Sequence, residues 1–240
     1  MPPNKKTQKI KVTRRDPNVD KREQNGFTPL MIAALLGKLG EVKRLISHGA
    51  NVNATGNGGF TALHCAVERG HVDVAALLLD NDADIEARNM DGVTPLSRAA
   101  YIGQLSCVAL LLDRGAKIDA VKNDGYTALN IAAQEGHLAV VELLVKRGAD
   151  IERAAVNGQT PLMSVAVNNH FDVVRFLLDN GAKIDDEKNN GLTALHAASQ
   201  KGHIDVVKLL LDRGANVRAV TNKCSFGGNR QPRWRRCAVD

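Results

Sequence analysis

Large rings are scarce in this sequence. Aromatic residues make up 3% of the 240, so a core has to be packed from aliphatic and small side chains. Long apolar runs are missing too. None approaches the roughly 18 residues of a membrane span, and the opening MPPNKKTQKIKVTRR is basic with no apolar stretch behind it, which argues against a secretory signal. Cysteine is sparse and unpatterned: Cys65, Cys107, Cys224 and Cys237 make no CxxC pair and no dense framework, so free thiols and a reducing compartment, cytoplasmic or nuclear, are expected. No phosphate-binding glycine loop, GxGxxG or nucleophile elbow is present.

An excess of one charge is also absent from most of the chain. Residues 1–24 carry eight Lys/Arg against three Asp/Glu and residues 220–240 carry five against one, while the body between them holds more acids than bases. The basic character therefore belongs to the ends. Lys5, Lys6, Lys9, Lys11, Arg14 and Arg15 suit a nuclear-import address, or weak contact with nucleic acid or anionic lipid through charge alone. Trp234 among Arg233, Arg235 and Arg236 adds one stacking group. Without a folded nucleic-acid module, unspecific tails are the plainer reading. Cys237-Ala238-Val239-Asp240 has the outline of a prenylation box, but Asp240 is not one of its usual last residues.

What the sequence does have is a register. Thr28, Thr61, Thr94, Thr127, Thr160 and Thr193 stand 33 residues apart, each followed two positions later by Leu. Seventeen positions after each Thr lies a second series, Leu45, Leu78, Leu111, Leu144, Leu177 and Leu210. Thr suits a helix N-cap, and Pro29, Pro95 and Pro161 fall where a first helical position tolerates a missing N–H. Gly37, Gly70, Gly103, Gly136 and Gly202 end that short helix, and apolar residues at i, i+3 and i+4 spacing predict a second, amphipathic one. Each unit is a helix pair plus a polar turn.

A 33-residue period with T-P-L-H and Gly-His at these places resembles the ankyrin repeat, over roughly residues 25–222. The resemblance implies an all-α solenoid of stacked helix pairs joined by β-hairpin-like loops, stabilised by neighbouring interfaces. The units fall at 25–57, 58–90, 91–123, 124–156, 157–189 and 190–222. Residues 1–24 form a basic segment with a partial repeat loop near 16–20, which suits a hairpin strand over the first turn, and residues 223–240 read as a basic flexible tail. Glu41 and Arg44, where other copies carry Val74 and Leu77, mark repeat 1 as an N-terminal cap. Leu211 shows no such polar switch, so either the tail improvises a cap or the array is a shortened one.

Departures from the pattern raise local expectations. The His of T-P-L-H remains as His64 and His196 and is Met31, Ser97, Asn130 and Met163 elsewhere, which puts side-chain bonding at those four turns in doubt. Asp82 and Asn169 replace glycines and are expected to adopt a left-handed backbone at modest cost. Asp20, Glu86, Asp119, Glu152 and Asp185, interrupted by Asn53 and Arg218, form an acidic row that reads as a solvated edge or as a steer for a basic peptide.

Catalysis has little support. Six of the seven histidines occupy framework positions a whole repeat apart, a spacing that gathers no metal ligands, and Cys65 and Cys107 read as buried packing residues. No cofactor or metal is expected, and the chain is expected to be a monomer. The resemblance implies that protein partners meet the hairpin tips and the inner surface of the first helices. The positions concerned are the residue before each Thr and the two before each interhelix Gly. There the sequence offers Phe27, Leu35, Leu36, Phe60, Arg69, Val93, Tyr101, Ile102, Tyr126 and Glu135, in which four of the eight aromatics are concentrated. Packing of the residue before Thr on its neighbouring turn is the competing reading. The function expected is a non-catalytic protein–protein interaction module. The alternatives are the docking part of a larger enzyme or channel, and association with nucleic acid or anionic membrane through the tails.

Overall fold

The structure is a computed structural model that describes residues 9–13, 16–23 and 26–219; the expectations about the C-terminal tail, and those on residues 1–8, 14–15 and 24–25, lie outside these residues. Twelve α-helices and no strand occur among the described residues: α1 (Pro29–Leu35), α2 (Leu39–Ser47), α3 (Ala62–Glu68), α4 (Val72–Asp80), α5 (Pro95–Ile102), α6 (Leu105–Asp113), α7 (Ala128–Gln134), α8 (Leu138–Lys146), α9 (Pro161–Asn168), α10 (Phe171–Asp179), α11 (Ala194–Lys201) and α12 (Ile204–Asp212). No helix among them is long and apolar enough to cross a membrane. The odd-numbered helices pack side by side as an inner layer, and each even-numbered helix backs its own partner to form an outer layer.

The two leucine series build the core. Leu30, Leu63, Leu96, Leu129 and Leu162 are buried in the inner layer, and Leu45, Leu78, Leu111, Leu144, Leu177 and Leu210 in the outer one. Each buried leucine contributes about 1.5–3 kcal/mol, so the register carries most of the stability. Small residues such as Ala33, Ala66, Ala99, Ala132 and Ala166, all buried, let the inner helices approach closely.

Four turns were placed in doubt, and two of them keep their bonding. Ser97 Oγ accepts the Thr94 N–H (2.9 Å). Asn130 Oδ1 accepts the Thr127 N–H (2.9 Å) while its Nδ2 donates to the Arg153 carbonyl (3.1 Å). Asn130 thus serves as His64 does, whose Nδ1 accepts from Thr61 N (3.2 Å) and whose Nε2 meets the Val93 carbonyl (3.0 Å). Met31 and Met163 fill their sites with apolar volume instead, and only the Thr28 and Thr160 hydroxyls cap those helices. Asp82 (φ 67°) and Asn169 (φ 62°) are left-handed, as their replacement of glycine requires.

The loops correct two expectations. First, the acidic row has a structural part beyond lining an exposed edge. Each member accepts a backbone N–H of the next loop: Asp20 from Asn51 (3.1 Å), Glu86 from Lys117 (2.7 Å), Asp119 from Asp150 (3.1 Å), Glu152 from Lys183 (2.8 Å) and Asp185 from Asn216 (2.8 Å). Asn53 continues the series through its amide oxygen, to Asp84 N (2.8 Å). An acceptor is what the position demands, and a carboxylate or an amide satisfies it. At Glu152, burial together with the neighbouring Asp186 raises the carboxyl above its ordinary value against the Lys183 N–H.

Second, residues 17–20 form a turn and not a hairpin strand. Val19 is buried against the core, and Asp20 supplies the first of the latches just described. Ahead of that turn, residues 9–13 run as an extended strap across the shoulders of repeats 1 and 2. Thr13 N donates to the Ser47 carbonyl (2.8 Å), Ile10 N to Asn81 Oδ1 (2.9 Å), and Lys9 pairs with Asp82 (2.8 Å). Glu41 and Arg44 pair with each other along α2 of repeat 1 (2.7 Å).

The connections to the inner helices close as tight hairpins, for example by Gly56 N to the Phe60 carbonyl (2.8 Å) with Gly59 N to the Gly56 carbonyl (3.1 Å), and by Lys122 N to the Tyr126 carbonyl (2.9 Å) with Gly125 N to the Lys122 carbonyl (2.9 Å). Successive tips are joined in turn, Met90 N to Gly58 O (2.9 Å) and Val156 N to Asp124 O (3.0 Å), so the hairpins form a continuous edge beside the inner helices.

Candidate partner-binding surface

The first five inner helices are each held at their end by the following repeat. His71, His137, His170 and His203 place Nε2 on the carbonyls of Leu35 (3.2 Å), Tyr101 (3.0 Å), Gln134 (3.0 Å) and Val167 (2.8 Å). Gln104 reaches the Glu68 carbonyl in the same way (3.5 Å). These bonds satisfy carbonyls that a helix end leaves open, and they fix the residues presented there.

The ten residues singled out from the sequence divide into two groups. Phe27 is half-buried, its ring against Gly56, where an added Cβ would lie 2.7 Å away; this is the packing of a residue before Thr on its neighbouring turn. Leu35 and Val93 are half-buried and give their carbonyls to His71 and His64, and Ile102 is half-buried as well. Tyr126 is half-buried, with the Lys122 ammonium 5.5 Å from its ring centre and its hydroxyl accepting from Asn157 (3.4 Å). The more open members are Leu36 (55% exposed), Tyr101 (46%) and Arg69, and Glu135 is half-buried.

Phe60 and Tyr101 are brought together by Arg98, a residue not singled out by its place in the repeat. The Arg98 guanidinium lies 5.8 Å from the Phe60 ring centre and 5.6 Å from that of Tyr101, and it pairs with Glu68 (3.1 Å). Phe60 also meets His64 edge to face at 5.7 Å. Arg98 Nε, shielded from solvent, has no acceptor among the described residues. Rings and guanidinium form one rigid block between repeats 2 and 3. Met90 (76% exposed) and Val156 (72%) were missed too. The available signal was an apolar residue at hairpin positions where other copies carry Asn123 and Asn189.

Burial pushes the Cys65 thiol up to about 12 and that of Cys107 up to about 11, so both are poor nucleophiles. Among the described residues no group of three or more His, Cys, Asp or Glu is placed to hold a metal ion. A cleft of about 330 Å³ opens beside Asp20, Arg22, Asn51 and Asn53. Asp20, Asn51 and Asn53 there already take part in the loop bonds.

A stack of paired helices with hairpin edges, capped threonines and histidine ties defines a repeat-built interaction module. The chain belongs to the ankyrin repeat family, whose description "Ankyrin repeats (3 copies)" matches residues 7–89, 86–155 and 152–221. Two solved structures are similar over most of its length. The human ASB11 ankyrin repeat domain is 33% identical with a TM-score of 0.75, covering 82% of this chain and 88% of that one. The ankyrin repeat domain of Bcl-3, described as a unique member of the IkappaB protein family, is 32% identical with a TM-score of 0.74, covering 83% and 92%. Delta-latroinsectotoxin-Lt1a of Latrodectus tredecimguttatus is 57% identical over 37 residues, a stretch that is 15% of this chain and 3% of the toxin. Families of this kind are in general non-catalytic modules for binding other proteins.

Proposed function

We propose that this chain binds a segment of another protein on the inner surface of repeats 1–4, at the hairpin edge. The observation that carries the reading is the Phe60–Arg98–Tyr101 block, flanked by exposed Leu36 and Arg69. Aromatic and arginine side chains that are already held in place lose little freedom on binding, and such residues dominate the energetics of protein interfaces. Tyr126 extends the patch into repeat 4. Phe27 contributes by shaping the first loop, since its ring is taken up by Gly56.

The test is affinity capture with the intact chain and with the Phe60→Ala/Tyr101→Ala/Tyr126→Ala variant, quantified by mass spectrometry, with circular dichroism to verify that both are folded. Partners held by the intact chain should drop at least tenfold with the variant, as loss of central aromatic contacts predicts. Equal recovery of the same partners would sink the reading.

A further inference from the structure

Resting on the concave-surface reading, we infer that the bound segment is amphipathic with opposite charges at its two ends. An acidic group faces repeat 2, a large apolar side chain covers repeat 3, and a basic group faces repeat 4.

Several charges on this surface are already satisfied. Glu68 is consumed by Arg98 (3.1 Å), and Lys122 by Asp124 (2.9 Å). Arg88 donates to the Val121 carbonyl, and Asp91, three residues on in the same hairpin, carries the opposite charge. What remains is ordered along the array. Arg69 on repeat 2 is exposed, and its guanidinium makes no hydrogen bond or ion pair among the described residues; exposed Lys38 on repeat 1 adds charge of the same sign. Two repeats on, at the position equivalent to Arg69, stands Glu135, whose carboxylate, among the described residues, accepts only the Gln134 amide (3.1 Å). Between them, on repeat 3, the two inward positions are Tyr101 and Ile102, both uncharged.

Packed helices advance roughly 8–10 Å per repeat, so Arg69 and Glu135 are about 20 Å apart. That is more than twice the Debye length of ~8 Å at physiological salt, and the two charges do not neutralise each other through solvent. Each is left to a partner. An extended segment spans the distance in about six residues, and a helix in about thirteen. Like charge opposite either pole is penalised, so the pair also selects against segments of a single sign.

A random 16-residue peptide library displayed on phage, selected against the full chain at physiological salt, provides the probe. Enriched peptides are expected to carry Asp or Glu toward one end and Lys or Arg toward the other, with an aromatic or branched aliphatic residue between. Because a peptide has two ways to lie in the groove, single charge reversals give the cleaner readout. Arg69→Glu should turn selection toward peptides basic at both ends, and Glu135→Lys toward peptides acidic at both ends. Wild-type peptides should weaken about tenfold against either variant, measured by fluorescence anisotropy. Both positions are on the surface, and circular dichroism of each variant checks the fold. Peptides that lose binding to Tyr101→Ala yet show no charge preference, or bind both reversed variants as well as wild type, would overturn the polarity and leave the concave site standing. Enriched peptides indifferent to Tyr101→Ala, or a library with no enrichment, would overturn both.

Discussion

His64 is fully buried, with its ring fixed between the Thr61 turn and the Val93 carbonyl. Burial lowers its pKa from the ordinary 6.5, against the Val93 bond, which raises it. The sign follows from linkage: the unfolded chain takes up a proton near pH 6.5 and the folded one does not. Stability from this residue is therefore complete above about pH 6.5 and falls as pH drops toward the lowered folded value. Asn130 shows what an untitratable side chain does in the same place, bonding both the threonine N–H and the next loop. His64→Asn should hold the melting temperature near wild type at pH 7.5 and lessen its decline between pH 7 and 5. Equal declines for both proteins in differential scanning fluorimetry would show that His64 is not the sensitive group.

At the scale of elements, the strap accounts for a departure from the repeat pattern. Asp82 stands where repeats 1, 3, 4, 5 and 6 have glycine, and it pairs with Lys9 while Asn81 takes the Ile10 N–H. Magnitudes decide which contact matters. The Lys9 and Asp82 side chains are 65% and 73% exposed, so their pair contributes at most ~1 kcal/mol. A left-handed aspartate costs about the same relative to glycine. Asp82→Gly should leave the melting temperature within a couple of degrees of wild type. Deletion of residues 1–15 removes Ile10 from the core edge together with the Thr13–Ser47 backbone bond and the Ile10 N–H bond to Asn81, and should cost about 2–3 kcal/mol in urea unfolding. A loss under 0.5 kcal/mol would show that the strap is decoration.

The strap also marks the limit of what was legible in the sequence. Caps, helix pairs and leucine layers could be read because they repeat every 33 residues and depend on near neighbours in the chain. The seat of Lys9 on Asp82 joins residues more than 70 positions apart and occurs once, so no periodicity announces it. Arg98 escaped for another reason: its position is ordinary, and it acquires meaning only when Phe60 of the preceding repeat and Tyr101 one turn on close around it. The acidic row was visible as a pattern, but its purpose was not, since a side-chain acceptor and a solvated charge look alike until the opposing N–H is in place.

In the whole molecule, each repeat leans on its neighbours through apolar layers, histidine ties and loop latches, and the two ends of the described array differ. Val19 and Asp20 cover the first repeat. On repeat 6, Leu211 is 40% exposed and Val217 65%, whereas the equivalent Leu178 and Ile184 are partly buried and packed against the core. Arg218, at the latch position, has no acceptor to offer a further loop. In a nearest-neighbour array the least supported repeat opens first. Hydrogen exchange should therefore show amides of α11 and α12 exchanging before those of α7 and α8, and simultaneous exchange would refute a frayed C-terminal end.

Tension applied to the N-terminal end meets the strap before any helix. Because Lys9 and Ile10 are anchored on repeat 2 while Thr13 and Asp16 hold repeat 1, the load enters the second repeat and bypasses the first. A pull on this end is therefore expected to part the Lys9, Ile10 and Thr13 contacts before it loads a helix.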